Sequence, residues 1–204
     1  DLNRNPGFTI MGLGPRQSHL DCADATDYAV KALSMDGSIY SSPQYTNLTI
    51  RDILIGGLGG GLTASLGGKE LYLDNVAFWN FRAAVPAVKF DAMDTFHVGT
   101  LDVVESEGDG LEITNSHDCS MTLNIRRCKK TGLKITGCNS MSIKAACEEN
   151  TGWGADFRDC KHLNVMFWLE CNGKGFAGAG GLDLPHVRME RVLNSTFWGH
   201  CFQD

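Results

Sequence analysis

Apolar and polar residues alternate along this chain in short bursts. Phe8-Thr9-Ile10, Leu48-Thr49-Ile50, Leu71-Tyr72-Leu73 and Leu123-Asn124-Ile125 each set a polar residue between two apolar ones. That is the period of a half-buried strand. No long stretch carries a helical period, although Ala23 to Leu33 reads as a short helix. The pattern predicts an all-β chain.

The triplets recur. One series reads Val88-Lys89-Phe90, Leu111-Glu112-Ile113, Leu133-Lys134-Ile135 and Ala155-Asp156-Phe157, with Gly110, Gly132 and Gly154 just ahead of the last three. A second reads Leu48-Thr49-Ile50, Leu71-Tyr72-Leu73, Phe96-His97-Val98, Met121-Thr122-Leu123, Met141-Ser142-Ile143, Leu163-Asn164-Val165 and Leu193-Asn194-Ser195. The phrases LNVMFWLEC (from Leu163) and LNSTFWGHC (from Leu193) agree at Leu, Asn, Phe, Trp and Cys. They predict one strand and corner written in two coils, with the glycine-rich excursion NGKGFAGAGG between them.

A unit of about 22–25 residues is too long for a hairpin and too short for a βαβ unit. It suits one coil of a parallel β-helix. The expectation is a right-handed, single-stranded parallel β-helix over residues 1–204. The closing residues read as mid-coil, so the chain is expected to be a piece of a longer one. Like positions then stack in columns. Thr49, Tyr72, His97, Thr122, Ser142 and Asn164 form an outward polar column. Lys89, Glu112, Lys134 and Asp156 form one of alternating charge, which reads as a register device because opposite charges on neighbouring strands attract.

Charge and composition narrow the function. The formal net charge of −6 lacks the basic field of a nucleic-acid binder. No apolar run is long enough to insert in a membrane. The basic cluster Arg126-Arg127-Cys128-Lys129-Lys130 reads as a solvated turn. The runs GGLGGG and GLGPRQS lack a phosphate-loop Lys-Ser/Thr and read as turns, so no cofactor is implied. Eight cysteines contain no C-x-x-C pair, which argues against a metal site. Cys119, Cys138 and Cys160 fall at one phase of the repeat, and Cys128, Cys147, Cys171 and Cys201 at another. They read as two ladders of reduced, buried thiols.

FTIMGLGP (from Phe8), NLTIRDILIGG (from Asn47), KELYLDNVAFWNF (from Lys69) and DGLEITNSHDCSMTLNI (from Asp109) resemble the wording of the pectate-lyase-like right-handed parallel β-helix superfamily. Within it the chain is most similar to bacteriophage tailspike and tail-fibre proteins. That resemblance implies a homotrimer in a virion tail, made in the host cytoplasm beside other tail proteins. It implies binding, and in some members cleavage, of bacterial surface polysaccharide. The rivals are a secreted pectate-lyase-like lyase or hydrolase and a non-catalytic adhesive solenoid. The aspartate cluster of calcium-dependent pectate lyases is missing at coil spacing.

Glycoside hydrolysis needs two carboxyl groups, about 5–5.5 Å apart for retention and about 6.5–9.5 Å for inversion. Glu107, Glu148 and Glu170 are the catalytic candidates, expected at equivalent corners. Arg127 and Glu149 are candidates for substrate binding at the same edge, with Lys129 nearby. An ion-paired solvated edge is the alternative. Tyr72, Trp79, Trp153, Trp168 and Trp198 are possible sugar platforms. Trp168 and Trp198 hold equivalent places in the repeated phrase and are expected to form an outward ladder, or else to cover a corner or subunit contact. His97 and His200 have no triad partner at a recognisable spacing.

Overall fold

The structure is a computed structural model that describes residues 8–33, 48–65, 71–173 and 186–202. Among them there is no helix, and parallel strands stack as a β-solenoid of about 5 turns. Nine strands form one sheet: β1 (Phe8–Met11), β2 (His19–Cys22), β4 (Leu48–Gly57), β6 (Leu71–Phe81), β8 (Phe96–Ser106), β10 (His117–Arg126), β12 (Asn139–Glu148), β14 (Lys161–Glu170) and β16 (Thr196–Phe202). Seven form the other: β3 (Tyr28–Leu33), β5 (Gly60–Ser65), β7 (Val88–Asp91), β9 (Leu111–Thr114), β11 (Leu133–Thr136), β13 (Ala155–Arg158) and β15 (Val187–Glu190). From β3 onward successive strands alternate between the two sheets, while β1 and β2 both pair with β4. Successive rungs lie about 4.8 Å apart.

Alternation decides what faces inward. In β11, Leu133 and Ile135 are buried while Lys134 and Thr136 are half-buried. The inward columns of both sheets meet in one core holding Ile50, Leu73, Phe78, Phe90, Phe96, Ile113 and Phe157. Burying each such side chain contributes about 1.5–3 kcal/mol before chain entropy is counted.

The shorter-strand series pairs as the triplets predict: Lys89 with Glu112, Glu112 with Lys134, Lys134 with Asp156. Lys89 and Lys134 both contact Glu112, at 3.2 and 2.8 Å. Asp156 instead pairs with Arg158 on its own strand, at 2.6 Å.

The longer-strand series needs two corrections. Phe96 aligns with Cys119, not Met121, so Ser120 rather than Thr122 stands in the outward column with His97 and Ser142. At the C-terminal rung, Val165 pairs with Phe197 and Trp168 with His200. The repeated phrases are therefore two residues out of register. Leu163 is buried, whereas Leu193 is 55% exposed and sits in the corner. The Ser195 hydroxyl accepts from the Leu163 N–H and donates to the Leu193 carbonyl. A slip of two keeps every side chain on its own face, so alternation cannot detect it. Most of the glycine-rich excursion lies outside the described residues.

Ala23 to Leu33 is not a helix. Asp24 accepts from the backbone and hydroxyl of Thr26, closing a turn, and β3 then pairs with β5. The cysteine ladders are also redrawn. Cys138 and Cys160 do share a corner column, but Cys119 lies within β10. Cys147 and Cys201 both pair with Leu169, while Cys171 stacks on Glu149 and Cys128 on Asn150 in two other columns.

Corners are made by stacked residues in the left-handed conformation. Asn80, Glu105, Arg127, Glu149 and Cys171 form one such column, with φ between 50° and 61°. Behind it runs a buried asparagine ladder. Asn172 Oδ1 accepts from both the N–H and the side-chain amide of Asn150, and Asn150 Oδ1 accepts from the Cys128 N–H. The stacked glycines make room for it: a Cβ at Gly132 or Gly154 would lie 2.7 or 2.8 Å from an asparagine amide nitrogen.

Candidate functional site

The left-handed corner brings Asn80, Glu105, Arg127 and Glu149 to the surface, while Cys171 at its end is buried. Beside it, two residues further along each rung, runs a second outward column of Arg82, Glu107, Lys129 and Thr151. The two columns line a cleft of about 400 Å³ with Asn80, Phe81 and Ser106. Arg127 bridges two neighbouring rungs of it. Its guanidinium is 2.7 Å from Glu149 on one rung and 3.7 Å from Glu105 on the other. The hydrogen bond to Glu149, then the charges of Glu149 and Glu105, hold Arg127 above its ordinary value.

Of the candidate residues, Glu107, Arg127 and Glu149 meet in this cleft. Glu148 and Glu170 do not line it. They pair on adjoining rungs at the outward edge of the nine-stranded sheet, in a column with Trp79, Val104, Arg126 and Phe202. The equivalence of Glu107 with Glu148 and Glu170 is thus corrected: Glu107 stands with Lys129 and Thr151, three positions further around the coil. The basic cluster is an exposed turn, as expected, and within it Arg127 and Lys129 line the cleft and Lys130 donates to the Ala84 carbonyl.

The tryptophans divide. Trp168 is 45% exposed and its ring contacts Phe202 at 4.7 Å and His200 at 5.7 Å. Trp198 is 57% exposed but pairs with Met166, so it forms no ladder with Trp168. Trp153 lies under Arg188, 6.0 Å away, just ahead of β13 and outside these columns. Tyr72 stacks on His97.

The sequence offered Trp79 as a ring and Glu105 as a carboxylate, but not their contact with each other. The Trp79 indole N–H donates to Glu105 at 3.3 Å, and the Trp168 indole N–H donates to Glu170 at 3.3 Å. Both exposed rings are therefore oriented by a carboxylate. The signal was weak: Trp79 and Glu105 are 26 residues apart and on diagonal positions. Chemically, the region offers carboxylates and guanidinium groups for hydroxyls and two apolar ring faces for C–H surfaces. Among the described residues no group of His, Cys, Asp and Glu is placed to hold a metal ion. No protein-family model, curated protein or solved structure matches the chain.

Proposed function

We propose that this protein binds polysaccharide along the outward face of its nine-stranded sheet and in the corner cleft beside it. The observation that carries the reading is the cleft of Glu105, Arg127 and Glu149 joined through Trp79 to a face with exposed, carboxylate-held indoles. Sugars present hydroxyls at their rims and C–H surfaces on their faces, and this region meets both. The finer reading follows the tailspike resemblance: bacterial surface polysaccharide as ligand, a homotrimer, and a place among the tail proteins of a virion.

A second reading is cleavage of the bound glycan. It is favoured by one observation, the pairing of Glu148 with Glu170 on adjoining rungs. One rung is about 4.8 Å, close to the separation a retaining glycosidase uses. The corner trio is poorly suited to that work, because Arg127 stands between its two carboxylates.

The test is incubation of the full chain with a panel of bacterial capsular polysaccharides and lipopolysaccharides. Saturable binding of at least one is expected. New reducing ends would assign hydrolysis, and unsaturated uronate a lyase reaction. Failure of every polysaccharide to bind would overturn the reading.

A further inference from the structure

Trp79 lies on β6 and Trp168 on β14, four rungs apart on the same outward face. That is a span of about 19 Å at the ordinary strand spacing. Each indole is oriented by a carboxylate. Between them the columns carry Asp102, Asn124 and Ala146 beside Val104, Arg126 and Glu148. No aromatic ring stands on the three intervening rungs of these columns, so a largely polar strip runs between the two indoles.

The charges of this strip disfavour one class of ligand. Asp102, Glu148 and Glu170 outnumber Arg126, and in the cleft Arg82, Arg127 and Lys129 are matched by Glu105, Glu107 and Glu149. The whole chain is formally −6. A polyanion would meet balanced or like charge here, which disfavours its approach. An uncharged chain rich in hydroxyls fits both: carboxylates accept from hydroxyls, and Arg126 and Asn124 donate to them. One pyranose unit of an extended chain is close to one rung in length.

Resting on the polysaccharide reading, we infer that the occupant is an uncharged linear glycan, about five units of which lie across the rungs with the end sugars on Trp79 and Trp168. Recognition is then by length and neutrality, read by two fixed rings and a polar floor.

The experiment is calorimetric titration of the full chain with neutral oligosaccharides of rising length, taken from a polysaccharide that binds, and with oligouronates of matching length. Affinity should climb to about five units and then level off. Oligouronates should bind more weakly at every length. Trp79→Ala and Trp168→Ala should each lose about 5- to 10-fold and level off at a shorter length. Trp153→Phe, outside the columns that hold Trp79 and Trp168, should match the parent, and thermal unfolding verifies that each variant folds. A plateau at two units, oligouronates binding as tightly as neutral chains, or undiminished binding by both alanine variants would overturn the inference while leaving polysaccharide binding intact. Absence of binding by every polymer would overturn both.

Discussion

Lys134 Nζ lies 2.8 Å from Glu112 Oε2, one rung away on the outward face of the seven-stranded sheet. Lys89 reaches the same carboxylate from the opposite rung at 3.2 Å. One acid shared by two ammonium groups ties three rungs together. The Glu112 side chain is only 13% exposed, so water screens the pairs weakly. Glu112→Gln should cost about 1–3 kcal/mol in urea unfolding. Glu112→Lys should cost more, because it stacks three cations. Adding Lys134→Glu should recover part of that loss. Unfolding of Glu112→Gln at the parent's urea concentration would show that the ladder does not hold the register.

Asp109 and Glu112 should give opposite pH signatures. Burial raises Asp109 above its ordinary 3.8, and the Thr131 N–H and the charge of Lys134 offset only part of this. At Glu112 burial also pushes upward, but Lys134 and Lys89 outweigh it and leave the group below its ordinary 4.5. A lowered acid adds stability above its unfolded value and loses it as pH falls through the folded value. A raised acid adds stability below its unfolded value and loses it as pH rises through the folded one. Between about pH 3 and 7, Asp109→Asn should therefore gain on the parent and Glu112→Gln should fall behind it. Urea midpoints measured across that range decide the matter; parallel curves for the two variants would contradict the assignment.

The asparagine ladder is a second structural commitment. Asn172→Ala removes the acceptor of two Asn150 donors in the buried corner. Leaving buried donors unpaired should cost about 1–3 kcal/mol each. Gly154→Ala should destabilise by crowding the Asn172 amide, 2.8 Å from the new Cβ. Chemical unfolding of both variants at parent stability would remove the ladder from the account.

What the sequence disclosed followed from what its period can encode. The shorter strands carry a strong signature, a glycine and then apolar–charged–apolar, and Lys89, Glu112, Lys134 and Asp156 stack as that signature predicts. The longer strands run 10 or 11 residues with repeated alternation, so a slip of two costs the pattern nothing. That is how Thr122 and the LNSTFWGHC phrase were misplaced. Trp168 and Trp198 look equivalent by wording, yet Asn194 stacks on His162 in the corner and delays β16. The site was half legible. Arg127 with Glu149, 22 residues apart, is a one-rung contact. Glu107 failed as a partner of Glu148 because the corner inserts three positions between them, and position around a corner has no periodic sequence mark.

The thiols offer a simple check on burial. Burial pushes Cys128 and Cys138 up to about 12, and raises Cys119, Cys147 and Cys160 as well. Seven of the eight cysteines are buried and Cys201 is exposed. A thiol-specific reagent should modify Cys201 first in the folded protein and the rest only on unfolding. Cys201→Ser should abolish the early phase. Rapid modification of several thiols in that variant would contradict the packing.

The placement of the ligand is open to hydroxyl-radical footprinting of the full chain, with and without a polysaccharide that binds it. Trp79 and Trp168 should be protected together in the complex, while Trp153, beneath Arg188 and outside their columns, should oxidise at the same rate in both samples. Protection of Trp153 with Trp79 and Trp168 unchanged would place the glycan away from their columns and defeat the assignment of the site.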